Sequence, residues 1–220
     1  PEHQVSEPVP PSAPATEKPA SWQSLRAPQN QPKRIGYFDA RVRMYLISAI
    51  GAFTGFAMVQ QTLAFRLQDT LGLTGTETAQ HAGLAMMASA ACSLFMQMLI
   101  AQRFTGPPVQ LVRWGAGLLA IGTIAISALD SWTAILSCMA LIGAGLGLLL
   151  PAVAAGASLA VGPEEQGGVS GLVSACPAAG FVLGPISGGF LYQQNGPEAV
   201  WGAALILVVV FLSTLRPMRQ

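Results

Sequence analysis

Between Arg113 and Glu198 the chain carries three charged residues, Asp130, Glu164 and Glu165. An ordinary water-soluble domain has about 25% charged residues, whereas this chain as a whole has 10%, against 52% hydrophobic. So long a stretch almost empty of charge needs a solvent other than water. Cut at its short polar connectors, the chain yields six apolar segments at residues 42–65, 79–101, 111–129, 132–160, 169–192 and 199–215. Each is near the ~20 residues that a 30 Å hydrocarbon core demands of a helix. The expected fold is an all-α integral membrane protein of six transmembrane helices, packed antiparallel as neighbours because the connectors are short.

The flanks are different. Residues 1–40 hold half of the 16 prolines, mixed with Ser, Glu, Gln and Lys, a composition that cannot assemble a core and is expected to form a disordered cytoplasmic linker. Residues 41–216 then form the bundle and 217–220 a short cytoplasmic tail. The chain begins without Met and without a signal-peptide pattern, and reads as part of a longer polypeptide. A formal charge of +1 offers no basic face for a nucleic-acid partner. Cys92, Cys138 and Cys176 lie apart in apolar runs and read as free buried thiols. No His-Glu-x-x-His, Gly-x-Ser-x-Gly, P-loop or paired intramembrane Asp is present, so neither an enzyme activity nor a metal or other cofactor is expected.

Orientation follows from the bias of Lys and Arg toward the cytoplasm. With the linker inside, Lys18, Arg26, Lys33, Arg34, Arg41, Arg43, Arg103, Arg113, Arg216 and Arg219 share that side, and Arg66 alone lies near the other. Asp69, Glu77, Asp130 and Glu198 fall outside. Six spans return the chain to the side it left, so both ends are expected in the cytoplasm.

The first segment is the most polar and the first candidate for contact with a solute. Thr54, Met58, Gln61 and Phe65 share a face by helical spacing, flanked by Gln60 and Thr62. A buried amide needs a partner, so the Gln60–Gln61 pair meets either a solute or a neighbouring helix. Gln97, between Met96 and Met98, poses the same question. His81 reads as an interfacial bystander. In the fourth segment Gly143, Gly145 and Gly147 precede Pro151, which fits either a bendable, cavity-lining helix or tight packing on a neighbour. Glu164 and Glu165 are placed to cap the fifth helix.

That fifth helix is unusual. Gly180, Gly184 and Gly188 recur every fourth residue, and Pro177 and Pro185 interrupt the same segment. In water Gly costs a helix about 1 kcal/mol and an interior Pro about 3 kcal/mol relative to Ala. In lipid the bare ridge is an asset, because small residues let another helix approach closely. Gly171, Gly180, Gly184-Pro185 and Gly188-Gly189 spell G-x8-G-x3-G-P-x2-G-G, which resembles the antiporter motif of major facilitator superfamily drug exporters.

In that family the motif belongs to the fifth helix, with degenerate copies in the eleventh. Six helices behind a Pro-rich linker resemble the C-terminal half, over about residues 40–216. A second family signature, G-x-x-x-D-R-x-G-R, is degraded here. Arg103 fits its Arg, Gln102 replaces the Asp, Met98 replaces the first Gly and Gly106 is one position late. This departure argues against a charge-relay gate and leaves Arg103 and Arg113 as topology and anchoring residues.

The resemblance implies one half of a secondary transporter of the bacterial inner membrane. It would export small amphipathic or hydrophobic compounds in exchange for protons by alternating access. The partners implied are the substrate, the lipid bilayer and a missing N-terminal six-helix half. The first and fourth helices would line the cavity, and the second and fifth would contact that half, with the glycine ridge as the joint. An uptake permease or uncoupled facilitator, and a non-transporting membrane scaffold, are the alternatives.

Overall fold

Apolar stretches of this length fold as helices because every backbone polar group is then bonded within its own segment. The computed structural model describes residues 35–101 and 103–215, side chains 100, 101 and 197 excepted, and these all lie in the unit Lys33–Gln220. The linker expectation for residues 1–34 and the tail 217–220 therefore fall outside the described residues. Six α-helices follow in order among those described: α1 Arg43–Leu71, α2 Gly75–Met96, α3 Pro108–Ala128, α4 Trp132–Leu159, α5 Gln166–Asn195 and α6 Val200–Leu215. A π-helical turn, Gln97–Ala101, extends α2, and a 3-10 turn, Gly196–Ala199, leads into α6.

The reversals have local causes. α1 ends at Gly72 in the left-handed region (φ 64°), where its N–H returns to the Gln68 carbonyl, a conformation that costs glycine nothing. Two residues later the Glu77 carboxylate accepts from the Thr74 N–H at 3.0 Å, starting α2. Pro108 opens α3, and Ser131 caps α4 by accepting from the Ala134 N–H at 3.3 Å. The helices thus run antiparallel, and the bundle has a proximal end, where α1 begins, and a distal end, where α1 meets α2.

The packing is reciprocal between two helix triplets: α2 and α3 lie on α4, while α5 and α6 lie on α1. Small residues make each contact close. A Cβ on Gly143 or Gly147 of α4 would collide with the backbone of Ser89 or Ser93 of α2. One on Gly115 of α3 would lie 2.7 Å from the Gly145 carbonyl oxygen, and the reverse substitution is equally close. The glycines of α4 are therefore packing contacts, and α4 stays one continuous helix through Pro151. Pro177 and Pro185 likewise leave α5 unbroken.

Among the described residues five helices are long and apolar enough to cross a membrane, and α6 is described over 16 residues. α1 overruns its expected end at Phe65 by six residues, because the charge that should have stopped it, Arg66, is buried and paired. The molecule is a multi-pass integral membrane bundle of the expected all-α class.

Candidate functional site

α1 is the helix that every other one touches, and the side chains proposed to contact a solute divide along it. Thr54 and Met58 turn inward. The Thr54 hydroxyl donates to the Ile50 carbonyl at 2.8 Å, and Met58, 1% exposed, packs beside Gly188 of α5 and Gly202 of α6. They support the bundle and do not line an open surface, which corrects their assignment to the cavity. Gln60, Gln61 and Phe65 are exposed. Neither glutamine makes a side-chain hydrogen bond to any described residue, so of the two alternatives the interhelical bond is not made within this bundle.

Phe65 stacks on Tyr192 of α5 with centroids 5.2 Å apart, and the Tyr192 hydroxyl donates to the Asp69 carboxylate. Farther along the same seam Phe181 of α5 meets Phe53 at 5.8 Å and Phe56 at 6.4 Å. The result is an aromatic seam beside two unbonded amides. Gln61 lies four residues inside Phe65, the distal end of the apolar segment, about 6 Å at 1.5 Å per residue, hence in the distal part of the span. Gln97 is elsewhere. It is half-buried on the π-helical turn, donates to the Ser93 hydroxyl at 3.2 Å, and sits about 18 Å from Gln61 along the helix axes. The six candidates do not form one site.

α4 does not present its glycines to an open cavity either, since they are enclosed by α2 and α3. α2 and α5 remain the open walls: only 11% and 22% of their apolar windows are buried, against 67% for α1. The glycine ridge of α5 points the other way. A Cβ on Gly184 would lie 2.5 Å from the Ala57 Cβ and 2.9 Å from the Thr54 carbonyl oxygen, and one on Gly180 would strike Phe53. Gly171 and Gly189 have nothing within 4 Å, and Gly188 has ordinary contact with Met58. Half of the motif thus docks α5 onto α1 of the same bundle. The ridge packs on α1 of its own bundle, and Val182, Ile186 and Phe190 are exposed on the opposite face of α5.

Polar clasps close this α1–α5 unit at both ends. Proximally the Arg41 guanidinium bonds Asp39 and reaches the Glu165 carboxylate at 2.8 and 3.1 Å, and these two carboxylates push its pKa upward, Asp39 first. Glu165 therefore ties helices together and makes no side-chain cap on α5. Distally the clasp is Tyr192 on Asp69. Arg103 is exposed in the turn before α3, whereas Arg113 donates through Nε to the Thr214 carbonyl at 2.8 Å.

Sequence reasoning missed Arg66. Only 4% exposed, it reaches from α1 to Asp130 at 2.8 Å and to the Ser127 and Leu129 carbonyls at 3.4 Å. A cation there complements the C-terminal dipole of α3. The signal was present: a lone Arg one residue beyond an apolar run, with one isolated Asp between two later spans.

A sequence model described as Major Facilitator Superfamily matches residues 6–219. Multidrug resistance protein 1 of Bacillus subtilis (strain 168) is 28% identical over 205 residues, 87% of this chain and 51% of that protein. The chain thus spans about half the length of this curated relative. A crystal structure of a mutant peptide transporter POT in complex with alafosfalin superposes with a TM-score of 0.69 at 19% identity. That match covers 84% of this chain and 39% of the transporter, and it establishes likeness of fold. With its residues matched almost end to end, the chain belongs to the major facilitator superfamily.

Proposed function

We propose that this chain is one half of a secondary transporter that exports small amphipathic or hydrophobic compounds in exchange for protons. The observation that carries the reading is the Gln60–Gln61 pair: two amides within the apolar segment of a membrane-spanning helix, exposed and without a hydrogen-bond partner among the described residues. Left against lipid, each would lose its hydrogen bonds at a cost of roughly 1–3 kcal/mol. A water-filled path removes that cost, and Phe65 and the aromatic seam beside it suit an apolar solute with few polar groups. Likeness to a multidrug resistance protein supports efflux.

A second six-helix bundle, from the same polypeptide or another, covers the open walls of α2 and α5. The substrate passes between the bundles as they rock. Arg41, Arg43, Arg103 and Arg113 gather at the proximal end, which supports placing both ends in the cytoplasm of a bacterial cell. The carboxylates of the described residues lie at helix ends or in connectors, so the proton-carrying group belongs to the other bundle.

The test is transport by the full-length protein in proteoliposomes with a lipophilic fluorescent dye. Dye extrusion driven by an imposed pH gradient, and abolished when the gradient is collapsed, supports the reading. Gradient-independent equilibration identifies a facilitator, and accumulation in the opposite direction identifies an uptake permease.

A further inference from the structure

On the surface of α3 that faces away from α1 and α5, an apolar groove of about 590 Å³ runs between α2 and α6. Met96, Trp114, Leu118, Ile121 and Phe211 contribute to its walls, and Arg113 at its proximal end is the one charged lining residue among those described. A groove of this composition in a membrane-spanning bundle is covered by hydrocarbon, and the question is whose. Three features select the occupant.

The first is the way Arg113 is held. Its Nε donates to the Thr214 carbonyl at 2.8 Å, near the end of α6, which fixes the guanidinium at the groove mouth. Its two terminal nitrogens have no partner among the described residues, so a bidentate donor pair stays open, the geometry that suits phosphate oxygens. The second is Trp114. Half exposed, it is braced edge-on by Phe104 at 5.4 Å, and an indole of this kind belongs at the level of lipid headgroups. The third is charge. Among the described residues the groove lining contains no carboxylate, Arg103 lies in the turn that leads into α3, and Arg216 and Arg219 follow α6 in sequence.

We infer that this groove is a binding site for an anionic diacyl phospholipid, its phosphate held by Arg113 and one acyl chain lying along Trp114, Leu118 and Ile121. A zwitterionic lipid fills the groove equally well with hydrocarbon. It brings its own ammonium to a mouth that is already positive, and so is the weaker ligand.

Trp114 reports the occupant directly. In the full-length protein with Trp22, Trp132, Trp201 and every tryptophan outside these 220 residues replaced by Phe, brominated phospholipids in reconstituted vesicles quench its fluorescence on contact. Brominated phosphatidylglycerol is expected to compete about fivefold better than brominated phosphatidylcholine, the effect of one basic residue at an anionic membrane surface. Arg113→Gln should reduce that preference to about one, Arg113→Lys should keep most of it, and Arg103→Gln should cost a clearly smaller part of it. Equal quenching by the two lipids, or a preference that survives Arg113→Gln, overturns the assignment. So does an equal loss in Arg103→Gln, which would mark general surface charge. Circular dichroism of each variant verifies that the bundle is intact, and since the readout needs no transport, it stands or falls apart from the efflux proposal.

Discussion

Replacing Gly184 by alanine adds one methyl group where α5 lies closest to α1. That carbon would sit 2.5 Å from the Ala57 Cβ, 2.9 Å from the Thr54 carbonyl oxygen and 3.1 Å from the Met58 amide nitrogen. Carbon atoms rest at about 3.5–4.0 Å, so the helices must part by about 1 Å. A gap of that size forfeits a quarter to a half of each contact well, which over ~40 atom pairs of about 0.15 kcal/mol removes about 1.5–3 kcal/mol. Alanine returns up to ~1 kcal/mol of helix propensity, leaving a net loss of about 0.5–2 kcal/mol.

The same motif supplies its own controls. Gly188→Ala meets Met58 at an ordinary 3.4 Å, and Gly171→Ala and Gly189→Ala meet nothing within 4 Å. The latter two, also inside α5, should be unchanged or gain up to ~1 kcal/mol, the same return of helix propensity without the clash. Cys138 and Cys176 are buried, so heating the 220-residue chain in detergent with a thiol-reactive fluorophore reads unfolding directly. If Gly184→Ala unfolds with the unaltered chain, or if Gly189→Ala is the most damaged of the series, the close approach of α5 to α1 is not what the ridge provides.

Other substitutions probe the rest of the bundle. Arg66→Met should cost about 1–3 kcal/mol in denaturant unfolding, because it strips donors from a carboxylate and two helix-end carbonyls. Asp130→Asn should cost under ~1 kcal/mol, because the Asp130 side chain is 68% exposed and water can replace much of the pair. Gly143→Val drives a branched side chain into the Ser89 backbone. It should loosen α2 by about 3 kcal/mol or more, seen as selective proteolysis in the turn between α2 and α3. Gln60→Ala and Gln61→Ala should leave the melting temperature unchanged while raising KM for a transported dye by about two- to tenfold, one hydrogen bond's worth; an unchanged KM would remove both amides from the solute path.

Length, hydropathy and charge bias were enough to read six helices and their alternation, since each is a property of a segment by itself. Which face of a helix meets which neighbour is a property of pairs, and there the sequence was ambiguous. The ridge of Gly180, Gly184 and Gly188 announces a close contact yet does not name its partner, which proved to be Phe53, Ala57 and Met58 of the same bundle. For the same reason Thr54 and Gln61 share a helical face in sequence and differ in burial: Thr54 lies where α5 approaches closest, at Gly180 and Gly184, and Gln61 is exposed. Arg66 marks the opposite failure. A charge was taken to end a span, but two carbonyls and a carboxylate 61 to 64 residues away make it part of one.

The central claim is that the exposed face of α1 around Gln61 borders an aqueous solute path and not lipid. In the full-length protein with Cys92, Cys138, Cys176 and every cysteine outside these 220 residues replaced, the single substitution Gln61→Cys places a thiol about 15 Å along α1 from its distal end. Labelling of that thiol in sealed vesicles by a membrane-impermeant maleimide tests the claim most directly. The account predicts labelling from the distal side, slowed by a transported compound and altered by a pH gradient. A thiol that never reacts, or reacts at one rate whatever the substrate or gradient, would contradict it.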